Sequence, residues 1–468
     1  MQADDTLFVP DSTAKKAVRG CLCRPQFTNV MKLRTAFQEY AGTIFTQGGL
    51  LALGVVTGVL SARLLGPAGR GELAAITVWP LALAFVLSLG INQAIVYHTG
   101  KRTYSVSQIH TASLVIGVAQ GIAVVAVGSI LLPLALRQYS SSVRMVGFLL
   151  LASTPALILS GYPANILQGQ GRPGLFNLIR TSASAFYCVG LVTLYLAHRT
   201  SLFTVVTVQA AGYFFAALVG YSILFAKLRP HINWNPVVAR QLGKFGVRAQ
   251  AANISNYFNQ RIDQLIMALF VRPAELGLYV VAVTLATAVT FFSQASGIVT
   301  LTRASSAQGH GATRVVSTSF RITLLWLASG CALLFVLAPW LITMVFGPRF
   351  AGSILACRIL LPGMVALGLN QVLYNGACAL GKPLLSAYAE GCGMFITAVG
   401  LAIVLPRWGY IGAAAVSTVS YTVTLLVMLF LLRTKAHLTL RMLFGGLGAE
   451  ENTAVEWVVP ALNAETQQ

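Results

Sequence analysis

Four ionisable side chains stand inside long apolar stretches of this chain: Arg180, Arg261, Asp263 and Glu390. An ionised group at the centre of a membrane helix costs about 2.5–3.5 kcal/mol on the insertion scale, so such residues face a protein interior or a water-filled cavity and mark a pathway. The richest stretch is NISNYFNQRIDQ, from Asn253 to Gln264. On a continuous helix Asn253, Asn256, Gln260 and Asp263 recur at three- and four-residue spacing and form one polar stripe. Arg261 lies two residues from Asp263 and points away from it, so the two are expected to find partners on different helices; a buried structural ion pair is the alternative. These residue types support binding and charge exchange. Neutralising a buried carboxylate removes its desolvation penalty, so Asp263 or Glu390 is a candidate to exchange a proton or cation during a conformational cycle. No Ser/His/Asp arrangement, phosphate-binding glycine loop or nucleotide motif accompanies them, and no cofactor is expected.

Helices must position these groups. The chain has 468 residues, 56% of them hydrophobic and only 9% charged, whereas about a quarter of a soluble domain is charged. Repeated apolar runs of about 20 residues indicate an all-α polytopic membrane protein. Twelve spans are expected, at 41–63, 73–97, 108–132, 144–166, 175–197, 203–226, 247–270, 277–301, 321–344, 353–375, 384–405 and 411–433. They divide the chain into a disordered cytoplasmic tail (1–38), a first six-helix bundle (39–226), a basic linker (227–246), a second bundle (247–433) and a C-terminal tail (434–468). Met31, followed by Lys32 and Arg34, is an alternative start.

The net charge of +20 carries two messages. Lys and Arg concentrate in alternate loops, and the linker alone holds Lys227, Arg229, Arg240 and Lys244, with Arg248 beside it. Both termini are therefore expected in the cytoplasm. Between Arg63 and Arg433 the acids thin to Glu72, Asp263, Glu275 and Glu390. The excess suits an anionic substrate or anionic lipid. Nucleic acid is a poor fit, because the charge is scattered through membrane loops. The cysteines offer neither a disulfide framework nor a metal set. Arg63, Arg70 and Glu72 flank the first outer loop, where a structural role is favoured over substrate contact. Tyr213, Phe214, Phe215 and Tyr221 are expected to pack rather than to stack on sugar rings.

The two halves resemble each other. Ala62, Pro67, Ala68 and Gly71 recur as Ala268, Pro273, Ala274 and Gly277; Asn165, Gly171 and Pro173 recur as Asn375, Gly381 and Pro383. Arg180 and Glu390 occupy equivalent places. They are expected near corresponding ends of a cavity, with Arg180 contributing to anion binding; snorkelling to the interface is the equal alternative. Two halves of like orientation are related by an axis along the membrane normal, with a site between them.

ARLLGPAGRGE at 62–72, RIDQLIM at 261–267, ELGLYVVA at 275–282 and the run from FGPRF at 346–350 through GKP at 381–383 to GYIGAAAVSTVSY at 409–421 carry a further likeness. Over roughly residues 38–435 the chain resembles the bacterial polysaccharide flippases of O-antigen and exopolysaccharide biosynthesis. These belong to one superfamily with lipid II flippases and multidrug and toxin extrusion transporters. The resemblance implies two six-helix bundles forming a V around a central cavity. It implies movement of polyprenyl-diphosphate-linked oligosaccharide from the cytoplasmic to the periplasmic leaflet of the inner membrane, alongside a glycan polymerase and chain-length machinery. Arg261, Arg180, Asn256 and Gln260 are then the expected substrate-binding residues. Asp263 and Glu390 are the ion-coupling or structural residues, with proton or sodium coupling left open. The rivals are a cation-coupled multidrug antiporter of the same fold, a membrane glycan polymerase or ligase, and an assembly scaffold.

Overall fold

The computed structural model describes residues 26–306, 310–382, 384–436 and 442–443; the far ends of both expected tails lie outside them. Thirteen α-helices follow one another: α1 (Gln26–Leu87), α2 (Ile91–Gly100), α3 (Val106–Ala135), α4 (Ser141–Gly169), α5 (Pro173–Leu196), α6 (Leu202–Leu228), α7 (Pro236–Asn259), α8 (Ile262–Phe270), α9 (Pro273–Thr287), α10 (Phe291–Ser306), α11 (His310–Leu341), α12 (Ser353–Ala379) and α13 (Leu384–Ala436). The first helix begins at Gln26, ahead of the expected tail boundary at 38.

Among the described residues nine helices are long and apolar enough to cross a membrane. Two are too long for one crossing. The 42 residues Thr46–Leu87 and the 52 residues Leu384–Lys435 would reach about 63 and 78 Å at 1.5 Å per residue, against a hydrocarbon core of about 30 Å. Each is bent where one glycine leaves the helical region, Gly66 (φ 66, ψ −177) in α1 and Gly409 (φ 52, ψ −143) in α13. A side chain rarely tolerates that backbone. The expected first and second spans, and the eleventh and twelfth, are thus joined by kinks where loops were expected.

Other helix starts follow from local chemistry. Ser105 and Gln108 form a reciprocal capping box at α3, and Asn235 accepts the Val237 N–H at α7. Pro173, Pro236 and Pro273 open α5, α7 and α9, where a missing N–H is harmless.

Two expected spans are broken. The second is interrupted between Leu87 and Ile91, and its freed carbonyls are met by amide side chains: Gln250 Nε2 donates to Phe85 O (2.7 Å) and Gln120 Nε2 to Ser88 O (2.8 Å). The Tyr162 hydroxyl donates to Gln120 Oε1. The seventh breaks between Asn259 and Ile262. Non-helical backbone at membrane depth is tolerated where it is buried in protein or lines a cavity. The eighth bends through one 3-10 turn at Ala288–Thr290.

The sequence recurrence has structural counterparts. A Cβ built on Gly71 would stand 1.7 Å from Pro273 O, and one on Gly277 would stand 2.0 Å from Pro67 O. The equivalent glycines of the two halves therefore let α1 and α9 cross backbone to backbone. Asn165 donates to Gly161 O (2.6 Å) and Asn375 to Gln371 O (2.8 Å), the same bond at equivalent places. Near this crossing Arg63 donates to Met344 O (2.5 Å) and Val345 O (2.7 Å), closing the end of α11 from the other half. Gln138 does the same for α8, reaching Ala268 O and Val271 O. One apolar core runs through both halves, including Ala62, Leu73, Ile95, Leu276 and Leu360. Outward-facing side chains such as Ile130, Leu325 and Phe430 are large, apolar and exposed, as expected of surfaces solvated by lipid.

Candidate functional site: a cationic cavity between the halves

A cavity of about 880 Å³ lies between the helices of the first and second halves. Residues of α1 line one wall at helical spacing, Arg70, Ala74, Thr77, Leu81 and Phe85, with Ser88 from the turn that follows. Facing them are Gln260, Arg261, Gln264, Thr284 and Gln294, with Tyr187 and Gln209 on a third side. Two arginines and no carboxylate stand among the described lining residues. Positive charge and amides converge on this space without a carboxylate in its described lining, an arrangement that can hold a polar, anionic ligand.

The break in the seventh span explains how Arg261 reaches this space. Gln260 N still bonds Asn256 O, but Arg261 N turns to Phe258 O, and the ladder restarts with Leu265 N on Arg261 O. Arg261 lies outside the helical ladder and is exposed to the cavity. Its guanidinium forms no hydrogen bond or ion pair with the described residues. Asp263 falls in the first turn of α8, where it accepts the Gln264 N–H (2.7 Å), favourable at the positive end of a helix. Its other oxygen accepts the Tyr279 hydroxyl, which contacts Ser417 Oγ at 3.0 Å. Asp263 is buried and does not line the cavity. The expected continuous stripe therefore ends at Gln260, and Asp263 turns into the core.

Arg70, for which a structural role was favoured, stands in the cavity wall. Its Nε is shielded from water and has no hydrogen-bond partner, and the residue lines the cavity. Arg63, by contrast, has the structural role expected of it.

A smaller recess of about 300 Å³ opens beside the cavity, lined by Gln93, Asn253, Asn256 and Gln260, and shares Phe85, Tyr257, Gln260 and Arg261 with it. Gln260 Nε2 donates to Asn256 Oδ1 (3.0 Å). Asn256 Nδ2 in turn donates to Glu390 Oε1 (3.2 Å).

Glu390 is buried, with no cationic partner among the described residues. Three amides hold its carboxylate: Asn256, Asn370 (2.6 Å) and Asn259. Asn259 Oδ1 and Asn370 Oδ1 are buried with no donor. This centre lies behind the recess and touches it through Asn256. Its sequence equivalent Arg180 is exposed, lines neither space, and donates to Gln47 Oε1 (3.3 Å) on α1. The helix-6 aromatics stay out of the cavity lining, while Gln209 of that helix enters it. Among the described residues no group of acids, histidines and cysteines is placed to hold a metal ion.

The sequence profile of the family described as Polysaccharide biosynthesis protein matches residues 60–355. No curated protein matches the chain. Three solved structures share the fold at low identity. An inward-facing multidrug resistance MATE family transporter of the MOP superfamily is 15% identical, with a TM-score of 0.69 over 83% of this chain and 94% of that one. The lipid II flippase MurJ in an inward closed conformation is 14% identical, with a TM-score of 0.70 over 87% and 90%. A MOP superfamily transporter from Pyrococcus furiosus, described as having a binding pocket of reverse polarity, is 14% identical, with a TM-score of 0.54 over 85% and 96%.

Proposed function

Because the chain belongs to the family described as polysaccharide biosynthesis protein, we propose that it is a flippase for a polyprenyl-diphosphate-linked oligosaccharide. The observation that carries this reading is the charge of the cavity: Arg70 and Arg261 line it and no acid does. Moving such a lipid requires hiding a diphosphate and a polar glycan from hydrocarbon while the polyprenyl tail stays in the bilayer. A guanidinium binds phosphate oxygens through paired N–H donors, and its charge does not titrate away. The amides and hydroxyls between the arginines supply the hydrogen bonds that glycan hydroxyls lose on leaving water.

In this reading the kinked α1 and α13 each cross the membrane twice and α7 with α8 makes one crossing, giving twelve crossings in two six-helix bundles. The two bundles, related by an axis along the membrane normal, rock against each other in alternating access, carrying the headgroup from the cytoplasmic to the periplasmic leaflet of the bacterial inner membrane. The termini are cytoplasmic, and a glycan polymerase with its chain-length machinery receives the product. The protein works as a transporter without a resident cofactor. Coupling to a proton or sodium gradient is assigned to Glu390, whose carboxylate is buried among three amides with no resident countercharge.

The fold shared with a MATE transporter makes a multidrug antiporter the second reading, but an organic cation finds no carboxylate in this cavity. The test is transbilayer movement of a polyprenyl-diphosphate oligosaccharide in liposomes containing the purified protein, with and without proton or sodium gradients. Movement above that of empty liposomes, lost in Arg261→Ala, is expected. Uptake of an organic cation, with no movement of the lipid, would replace the proposal by the antiporter.

A further inference from the structure

We infer that the recess beside Arg261 is a subsite for the single sugar ring joined directly to the diphosphate, and that it selects which first sugar is carried. The inference rests on the flippase reading above and deepens it. Three features of the recess lead to it.

The first is position. Arg261, Gln260, Tyr257 and Phe85 belong to the walls of both spaces. A phosphate held by Arg261 therefore sits at their junction. The group covalently attached to that phosphate is the one that reaches the recess.

The second is chemistry. Among the described lining residues only Arg261 is charged, and the polar groups beside it are the side-chain amides Gln93, Asn253, Asn256 and Gln260 with the Tyr257 hydroxyl. A primary amide offers donors and an acceptor together, as a ring hydroxyl does, so amides recognise vicinal hydroxyls in either sense. Capacity for this remains free. The Gln93 side chain makes no hydrogen bond with the described residues, its backbone N–H alone reaching Gly90 O (3.1 Å). Asn253 spends its Nδ2 on Ala249 O (2.8 Å), and Gln260 its Nε2 on Asn256 Oδ1 (3.0 Å). The Asn253 and Gln260 carbonyl oxygens are left to accept.

The third is rigidity and size. Phe85 and Tyr257 are stacked at 3.9 Å with 9° between their planes, which joins α1 to α7 at the entrance. Gln250 bonds Phe85 O across the same seam, and Gly90 and Gly246 bring the backbones of the two halves together just beyond it. The walls are thus held in place before a ligand arrives. At about 300 Å³ against 880 Å³, the recess suits one ring and the main cavity the rest of the headgroup. A site that hydrogen-bonds a substrate hydroxyl discriminates strongly against an analogue lacking it, because its own polar groups are then left unpaired.

The test uses the full-length protein in nanodiscs and two probes: a polyprenyl diphosphate without sugar, and the same lipid bearing one pyranose. Binding is followed by calorimetry. Two net hydrogen bonds to the ring correspond to about tenfold tighter binding of the sugar-bearing lipid. Gln93→Ala is the lead variant, since that amide holds nothing in the fold; Asn253→Ala is the second. In each, the difference between the two lipids is expected to fall to about threefold, and in the double variant to vanish, whereas Arg261→Ala weakens both lipids together. If the wild-type protein binds the two lipids equally, or if Gln93→Ala and Asn253→Ala leave the tenfold difference in place, the subsite is refuted while the flippase reading stands. If neither lipid binds, the flippase reading fails and takes the subsite with it.

Discussion

Arg70→Met separates a binding role for this residue from a structural one by moving stability and function in opposite directions. The Arg70 Nε is shielded from water and unpartnered, and an unsatisfied buried donor costs about 1–3 kcal/mol, more when charged. Methionine keeps an unbranched stem of similar length in the wall and discards the donor. The ligand-free variant is therefore expected to be more stable by about 1–3 kcal/mol. Binding moves the other way. Two charge-assisted hydrogen bonds to a diphosphate, at about 1.5–3 kcal/mol each, correspond to a loss of at least about a hundredfold in affinity. At a lipid concentration of about a hundred times the wild-type Kd, the ligand stabilises the wild type by about 2.7 kcal/mol and the variant by only about 0.4 kcal/mol. The assay is thermal melting in nanodiscs, with and without a polyprenyl diphosphate, paired with liposome transport. The expected pattern is a raised melting midpoint, a collapsed ligand shift and lost transport, with Arg70→Lys intermediate because it keeps the charge but not the fork. A variant that melts lower than wild type and transports normally refutes the reasoning and makes Arg70 a structural anchor.

Gly71→Ala places a methyl group 1.7 Å from Pro273 O, so the crossing of α1 and α9 must open; a loss of about 1–3 kcal/mol or more in melting stability and a loss of transport are expected, and unaltered melting would contradict the close crossing. Gln120→Leu strips the acceptor from the buried Tyr162 hydroxyl and a donor from Ser88 O; it is expected to destabilise by about 1–3 kcal/mol, with Tyr162→Phe in the same chain recovering part of the loss in a double-mutant cycle. Glu390→Gln keeps the size of the side chain and removes its charge; transport by this variant in liposomes is expected to be insensitive to imposed proton and sodium gradients, and retained gradient dependence would move coupling away from Glu390.

Apolar runs and scarce charge were enough to specify a polytopic helical membrane protein, because hydrocarbon forces every backbone group into internal hydrogen bonds. The recurrence of Pro67 and Gly71 as Pro273 and Gly277 was legible as a list of residues, and it proved to mark the crossing where two backbones touch. Arg261, Asn256 and Gln260 could be named in advance, since charge and amides in an apolar helix need a polar destination. Their grouping could not. Periodicity assumes an unbroken helix, but the chain unwinds at Gln260 and Arg261, which frees Arg261 into the cavity and turns Asp263 toward Tyr279. Arg70 sits in a turn-rich motif that reads as a loop, and only the packing of α1 against the second half puts its guanidinium in the wall. Glu390 and Arg180 match in register yet differ in fate, one enclosed by three asparagines and the other exposed. Sequence alone determined which residues must avoid lipid; tertiary structure decided what each would meet instead, because a side chain's partners come from helices distant in the chain and from breaks that no local period encodes.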